Sequence, residues 1–128
     1  MRTTSSSPPV LVVIPEGYLR RFVVAVLEKA GYEVSGVETG AMALVAGAGA
    51  EVVITKLSLP DMTGPELAGR LRARGGESGF LFVSGLAARG PAGVPRSAFL
   101  AMPFGIPELL EAVERLAETS GERPDRDS

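Results

Sequence analysis

Glu51-Val52-Val53-Ile54-Thr55-Lys56-Leu57-Ser58-Leu59-Pro60-Asp61-Met62-Thr63-Gly64-Pro65-Glu66 decides how the rest of the chain is read. Val52 to Ile54 is a short β-branched run, the pattern of a strand covered on both faces. Pro60 and Gly64 break the loop that follows. Thr63 with Glu66 three residues later is a capping box, and Pro65 sits early in the helix, where its missing N–H does no harm. In an open parallel α/β sheet, ligands gather beyond the carboxyl ends of the strands. Lys56 stands at such an end.

Working outward, the same alternation recurs. Val10 to Ile14 is an apolar run between prolines and reads as the first strand. Leu19, Phe22, Val23, Val26, Leu27 and Ala30 follow at helical spacing and stop at Gly31. Tyr32 to Val37 is a second strand, and Thr39 can cap a short helix through Val45. After the central stretch, a helix of about Pro65 to Ala73 breaks at Gly75-Gly76. Phe80 to Val83 and Ala98 to Ala101 are the fourth and fifth strands. A last helix spans about Pro107 to Glu118, with Leu109, Leu110, Val113 and Leu116 inward. Alternating strands and helices predict an α/β fold, a parallel sheet with helices on both faces. Leu86 to Arg96 is irregular: Gly90, Pro91, Gly93 and Pro95 are incompatible with a regular helix.

Composition narrows the chemistry. At 128 residues the chain makes one domain. The expected layout is a tail over residues 1–9, a domain over 10–118 and a second tail over 119–128. There is no cysteine, which removes thiolate and iron–sulfur chemistry, and no histidine, which removes phosphohistidine and most zinc sites. A net charge of −2 gives no nucleic-acid footprint. No apolar run is long enough for a membrane span, and the Ser/Thr/Pro-rich start is not a secretory signal, so a cytoplasmic location is expected.

The Leu57–Gly64 loop, the Ser84-Gly85 pair and the Met102-Pro103-Phe104 run together resemble the receiver domains of bacterial two-component response regulators. The resemblance covers about Val10 to Glu118. It implies a doubly wound, flavodoxin-like five-stranded sheet of order 2-1-3-4-5. The family's fourth helix would fall in the irregular segment, so it is expected to be a stub or a loop.

The resemblance also implies a phosphotransfer site: a pair of acids for Mg²⁺, an aspartate acceptor, a Ser or Thr, and a lysine. Mg²⁺ wants oxygen ligands in tight octahedral geometry, and metal and lysine together offset the phosphoryl charge. At the acid pair this chain has Ile14 and Pro15, with Glu16 the one carboxylate left in the run. At the acceptor it has Lys56, which cannot form an acyl phosphate. Ser84 is retained. Met102 replaces the lysine, in a Met102–Pro103 bond expected to be cis by analogy with the family. Phe99 occupies the aromatic switch position, without a hydroxyl, and reads as a fixed core residue. No metal, Mg²⁺ or other cofactor site is therefore expected. An unpartnered buried ammonium is costly, so Lys56 either pairs with Glu16, the favoured reading, or turns to solvent.

These departures describe a stand-alone pseudo-receiver of the phosphorelay family. It is expected to be non-enzymatic and to work through protein partners: a signalling-pathway protein, another receiver, or a second copy bound through the face of the last strand and helix. A shallow apolar groove near Leu86, Val94 and Phe99 is one candidate contact. Two other readings stay open: a working regulator phosphorylated elsewhere, at Asp61 or Ser84, and a binder of small ligands at the strand ends. Arg70, Arg72 and Arg74 read as a solvated face or a basic contact patch. Glu108, Glu111, Glu114 and Glu118 read as a solvated face, and Met62 and Met102 as packing residues.

Overall fold

The structure is a computed structural model that describes residues 9–46, 49–85 and 94–121. Five parallel strands form one sheet: β1 (Pro9–Val13), β2 (Glu33–Val37), β3 (Val52–Lys56), β4 (Gly79–Ser84) and β5 (Ser97–Ala101), in the order β2-β1-β3-β4-β5. Four helices lie among the described residues: α1 (Gly17–Lys29), α2 (Gly40–Ala46), α3 (Gly64–Ala73) and α4 (Ile106–Gly121). The order matches the expected doubly wound topology. Several boundaries shift slightly from the sequence reading: β1 already begins at Pro9, β2 begins at Glu33, and α4 continues to Gly121. Proline is tolerated as the first residue of a strand.

The alternating sides of the central strands split the core into two layers. Val10, Val12, Ile14, Val52, Ile54, Leu81 and Val83 pack with Val23 and Leu27 of α1 and with Leu109, Val113 and Leu116 of α4. Leu11, Val13, Val53, Phe80 and Phe82 face the other way, onto Ala43 of α2 and Leu67, Ala68 and Leu71 of α3. Both faces of β1, β3 and β4 are thus covered, which explains runs such as Val52-Val53-Ile54 with no polar alternation.

Helix ends follow local chemistry. Thr63 and Glu66 form the expected reciprocal capping box: Glu66 N–H donates to Thr63 Oγ1 at 3.1 Å and Thr63 N–H to Glu66 Oε1 at 3.0 Å. Thr39 Oγ1 accepts the N–H of Met42 at 3.1 Å. Helix α1 stops at Gly31, whose φ of 102° is open to glycine at little cost.

Between β4 and β5 the described residues, Gly85 and 94–96, contain no helix. The rest of the segment expected to hold a helix stub or a loop, residues 86–93, lies outside the described residues.

Candidate functional site

The site is built at the carboxyl ends of β1, β3 and β4. Lys56 is the last residue of β3, paired in register with Val83, so Ser84 stands one step further on the neighbouring strand. Thr55 is fully buried beneath it and donates its hydroxyl to the Lys56 carbonyl at 2.9 Å. The loop that follows is closed on itself: Leu59 N–H donates to Met62 O at 2.9 Å, and Gly64 N–H to Leu57 O at 2.8 Å. Gly64 is needed for close approach, because a Cβ there would stand 2.7 Å from the Lys56 carbonyl oxygen.

Lys56 Nζ lies 3.4 Å from both carboxylate oxygens of Glu16. The lysine side chain is 19% exposed and the glutamate 56%. Of the two destinations weighed for the ammonium, the structure shows the ion pair. Glu16 is the N-cap residue of α1, yet its side chain makes no capping bond; its carboxylate is spent on Lys56 instead.

Just before Glu16, Ile14 is fully buried in the core and Pro15 follows it. The carbonyls of both residues are held by Arg20 of α1, whose Nη1 donates to Ile14 O at 2.8 Å and to Pro15 O at 3.2 Å. Arg20 Nη2 also meets Glu38 at 3.4 Å. Sequence reading missed this clamp. Its signal was a polar side chain one helical turn after Glu16, reaching back over the strand end. Among the described residues no cluster of three or more Asp or Glu side chains is placed to hold a metal ion.

Ser84 is buried at 7% exposure and has an interaction partner. Met102 is half-buried beside Gly85 and in a cis peptide with Pro103. Phe99 is half-buried against the α3-side core, with Val94 beside it in the same layer. Of the residues expected to frame an apolar groove, Val94 and Phe99 are half-buried against the α3-side core, Phe99 also lines a groove on β5, and Leu86 lies outside the described residues. Two of the grooves present flank the last strand and the turn after it. One of about 460 Å³ runs along the outer edge of β5 beside α4, lined by Ser97 to Leu100, Arg96, Glu108, Glu111 and Arg115. The other, of about 350 Å³, is framed by Leu19, Phe22, Met102, Pro103 and Phe104.

Asp61 is fastened to α2. Its Oδ1 accepts the N–H of Gly40 and its Oδ2 that of Ala41, each at 2.9 Å. The two backbone donors hold its carboxyl below the usual carboxylate range. An acceptor role for Asp61 would have to break both bonds. Of the three arginines read as a solvated or contact face, Arg70 and Arg74 are exposed, although Arg74 Nη1 also donates to Leu44 O at 2.6 Å and ties α3 to α2; the reading is corrected for Arg72, which is half-buried at the far end of the sheet. Glu108 caps Gly105 N–H at 2.9 Å, and Glu111 pairs with Arg115 at 3.0 Å, so these two acids are not merely solvated.

A doubly wound five-stranded sheet with a capped β3–α3 loop points to the receiver class. The comparisons agree. The chain is 31% identical over 113 residues to the response regulator receiver protein CpdR of Brucella abortus, covering 94% of that protein. It therefore belongs to the response regulator receiver family. It is also 33% identical over 122 residues to the sensor kinase CckA of the same organism, but spans only 13% of that protein's length. Among solved structures it is similar to a response regulator receiver protein from Sinorhizobium medicae (TM-score 0.80, 28% identity, covering 90% of this chain and 98% of that one). It is also similar to the receiver domain of the hybrid histidine kinase CckA (TM-score 0.74, 26% identity, covering 85% and 98%). No family model matches the chain. No helix among the described residues is long and apolar enough to cross a membrane.

Proposed function

We propose that this chain is a pseudo-receiver: a two-component signalling module that works by protein recognition and independently of phosphorylation. The carrying observation is the Lys56–Glu16 ion pair at 3.4 Å, which puts a cation where the resemblance places an acceptor carboxylate. A lysine ammonium has no lone pair with which to accept a phosphoryl group, and the remaining local carboxylate already faces it. Ile14 and Pro15 offer no side-chain oxygen to Mg²⁺, and Met102 no charge to a transferred phosphate. On this reading the protein needs no cofactor, catalyses no reaction and acts in the cytoplasm, without nucleic acid or membrane.

The partner is a signalling-pathway protein, another receiver, or a second copy. The β5–α4 edge supports the last of these. Strand β5 lies at the edge of the sheet, and Glu111 and Arg115 stand one helical turn apart on the adjoining helix. A two-fold arrangement brings each against its opposite in the other copy.

Mg²⁺ titration monitored by amide chemical shifts tests the reading. The amides of Ile14, Glu16, Lys56 and Ser84 are expected to show no saturable change; a saturable shift confined to them overturns it.

A further inference from the structure

At the amino-terminal ends of β4 and β5, opposite Lys56, two arginines lie together, with Glu77 nearby but no salt bridge to either among the described residues. Arg72 reaches from α3 and donates from Nη2 to Ser78 O at 2.9 Å and to Pro95 O at 2.7 Å. Its guanidinium lies 5.2 Å from the ring centre of Phe80. Arg96 comes directly after Pro95, with a left-handed φ of 53°, and its carbonyl accepts Phe80 N–H at 3.0 Å. The backbone of Arg96 is therefore fixed by the β4–β5 ladder, and its side chain packs beside Leu116 and Gly79.

Three nitrogens in this cluster, Arg72 Nε, Arg96 Nε and Arg96 Nη2, are buried with no hydrogen-bond partner. Neither guanidinium forms an ion pair among the described residues. Burial first, and then the charge of Arg96, lower the pKa of Arg72; Glu77 offsets this in part. The other acids nearby are committed elsewhere, Glu108 to the Gly105 N–H and Glu111 to Arg115. Arginine does not escape the cost by losing its proton. Unpaired donors and like charges at a desolvated place are unfavourable, and a planar guanidinium fork matches an oxyanion.

We propose that Arg72 and Arg96 form a binding site for a small tetrahedral oxyanion of the phosphate class. Arg96 lines one end of the groove between β5 and α4, which is the anion's way in. Rotation about the outer torsions of the Arg96 side chain turns Nε and Nη2 toward it, while Arg72 stays anchored by its two carbonyl contacts. Bound anion offsets the like-charge pair and supplies acceptors to Arg96 Nε and Nη2. The site is separate from Lys56 in position and in chemistry, and does not depend on whether Lys56 blocks phosphorylation.

The test is a titration with inorganic phosphate, against chloride at matched ionic strength, read by arginine Nε–Hε resonances and by thermal unfolding. The Nε signals of Arg72 and Arg96 shift saturably, and Tm rises by about 3 °C at saturating phosphate. Sulfate reproduces the effect. Arg96→Gln abolishes the Tm response, and Lys56→Met preserves it. Absence of a saturable Nε shift in the unaltered chain overturns the proposal, whether or not the Arg96 variant folds. So does a response retained in Arg96→Gln or lost in Lys56→Met.

Discussion

Lys56 and Glu16, forty residues apart in sequence, meet at 3.4 Å across the ends of β3 and β1. The glutamate is more than half exposed, so solvent screens the pair and its net worth is small. Glu16→Gln is expected to lower stability by less than about 1 kcal/mol in urea unfolding. Lys56→Met is expected to be neutral or stabilising, because it removes a half-buried charge without stranding another buried one. A loss of several kcal/mol in either variant would show that the pair is a structural keystone.

Asp61 clamps the start of α2 through two backbone N–H donors. Its pKa is depressed in the folded chain, chiefly by the Gly40 and Ala41 N–H groups. The contribution is therefore fully present above the unfolded value and lost as pH falls through the lower folded value. Asp61→Ala should reduce Tm near neutral pH. The gap between variant and parent should close as the pH drops below about 4. A gap that stays constant down to pH 2 would mean that the carboxylate charge is not what holds α2.

Gly64 has no room for a side chain, since the atom in the way is the Lys56 carbonyl oxygen, which cannot swing aside. Gly64→Ala is expected to cost about 1–3 kcal/mol in equilibrium unfolding, as overpacking does. It should also disturb the Lys56 amide in chemical-shift maps. A near-neutral substitution would mean that the β3–α3 loop is looser than its hydrogen bonds indicate.

If two copies meet through the β5–α4 edge, single charge reversals there should weaken them together. Glu111→Arg or Arg115→Glu should raise the dimer Kd about tenfold by light scattering. The double reversal should restore it, as coupled residues do. An oligomeric state unchanged by either single reversal removes this surface as the self-association face.

Much of the fold was legible because its physics is local. The unbroken apolar runs of β1, β3 and β4 announce strands covered on both sides, and Thr63, Pro65 and Glu66 announce where α3 starts. The Lys56–Glu16 pair was foreseeable, because the topology brings two strand ends together and only one carboxylate remained there. The Asp61 clamp and the Arg72 and Arg74 anchors were not legible. Each joins a side chain to a backbone group from a distant element, and such pairings leave no period in the sequence. Arg72 reads as a surface residue by spacing; only the left-handed turn at Arg96 and the short loop before β4 place carbonyls within its reach.

The central claim is that the strand ends carry a cation in place of a phosphoryl acceptor. Intact-mass measurement after incubation with Mg²⁺ and a small acyl-phosphate donor tests it most directly, with Lys56→Asp run beside the unaltered chain. The account predicts an unchanged mass for the unaltered chain. A gain of one phosphoryl group, mapped to Glu16, Asp61 or Ser84, would contradict it.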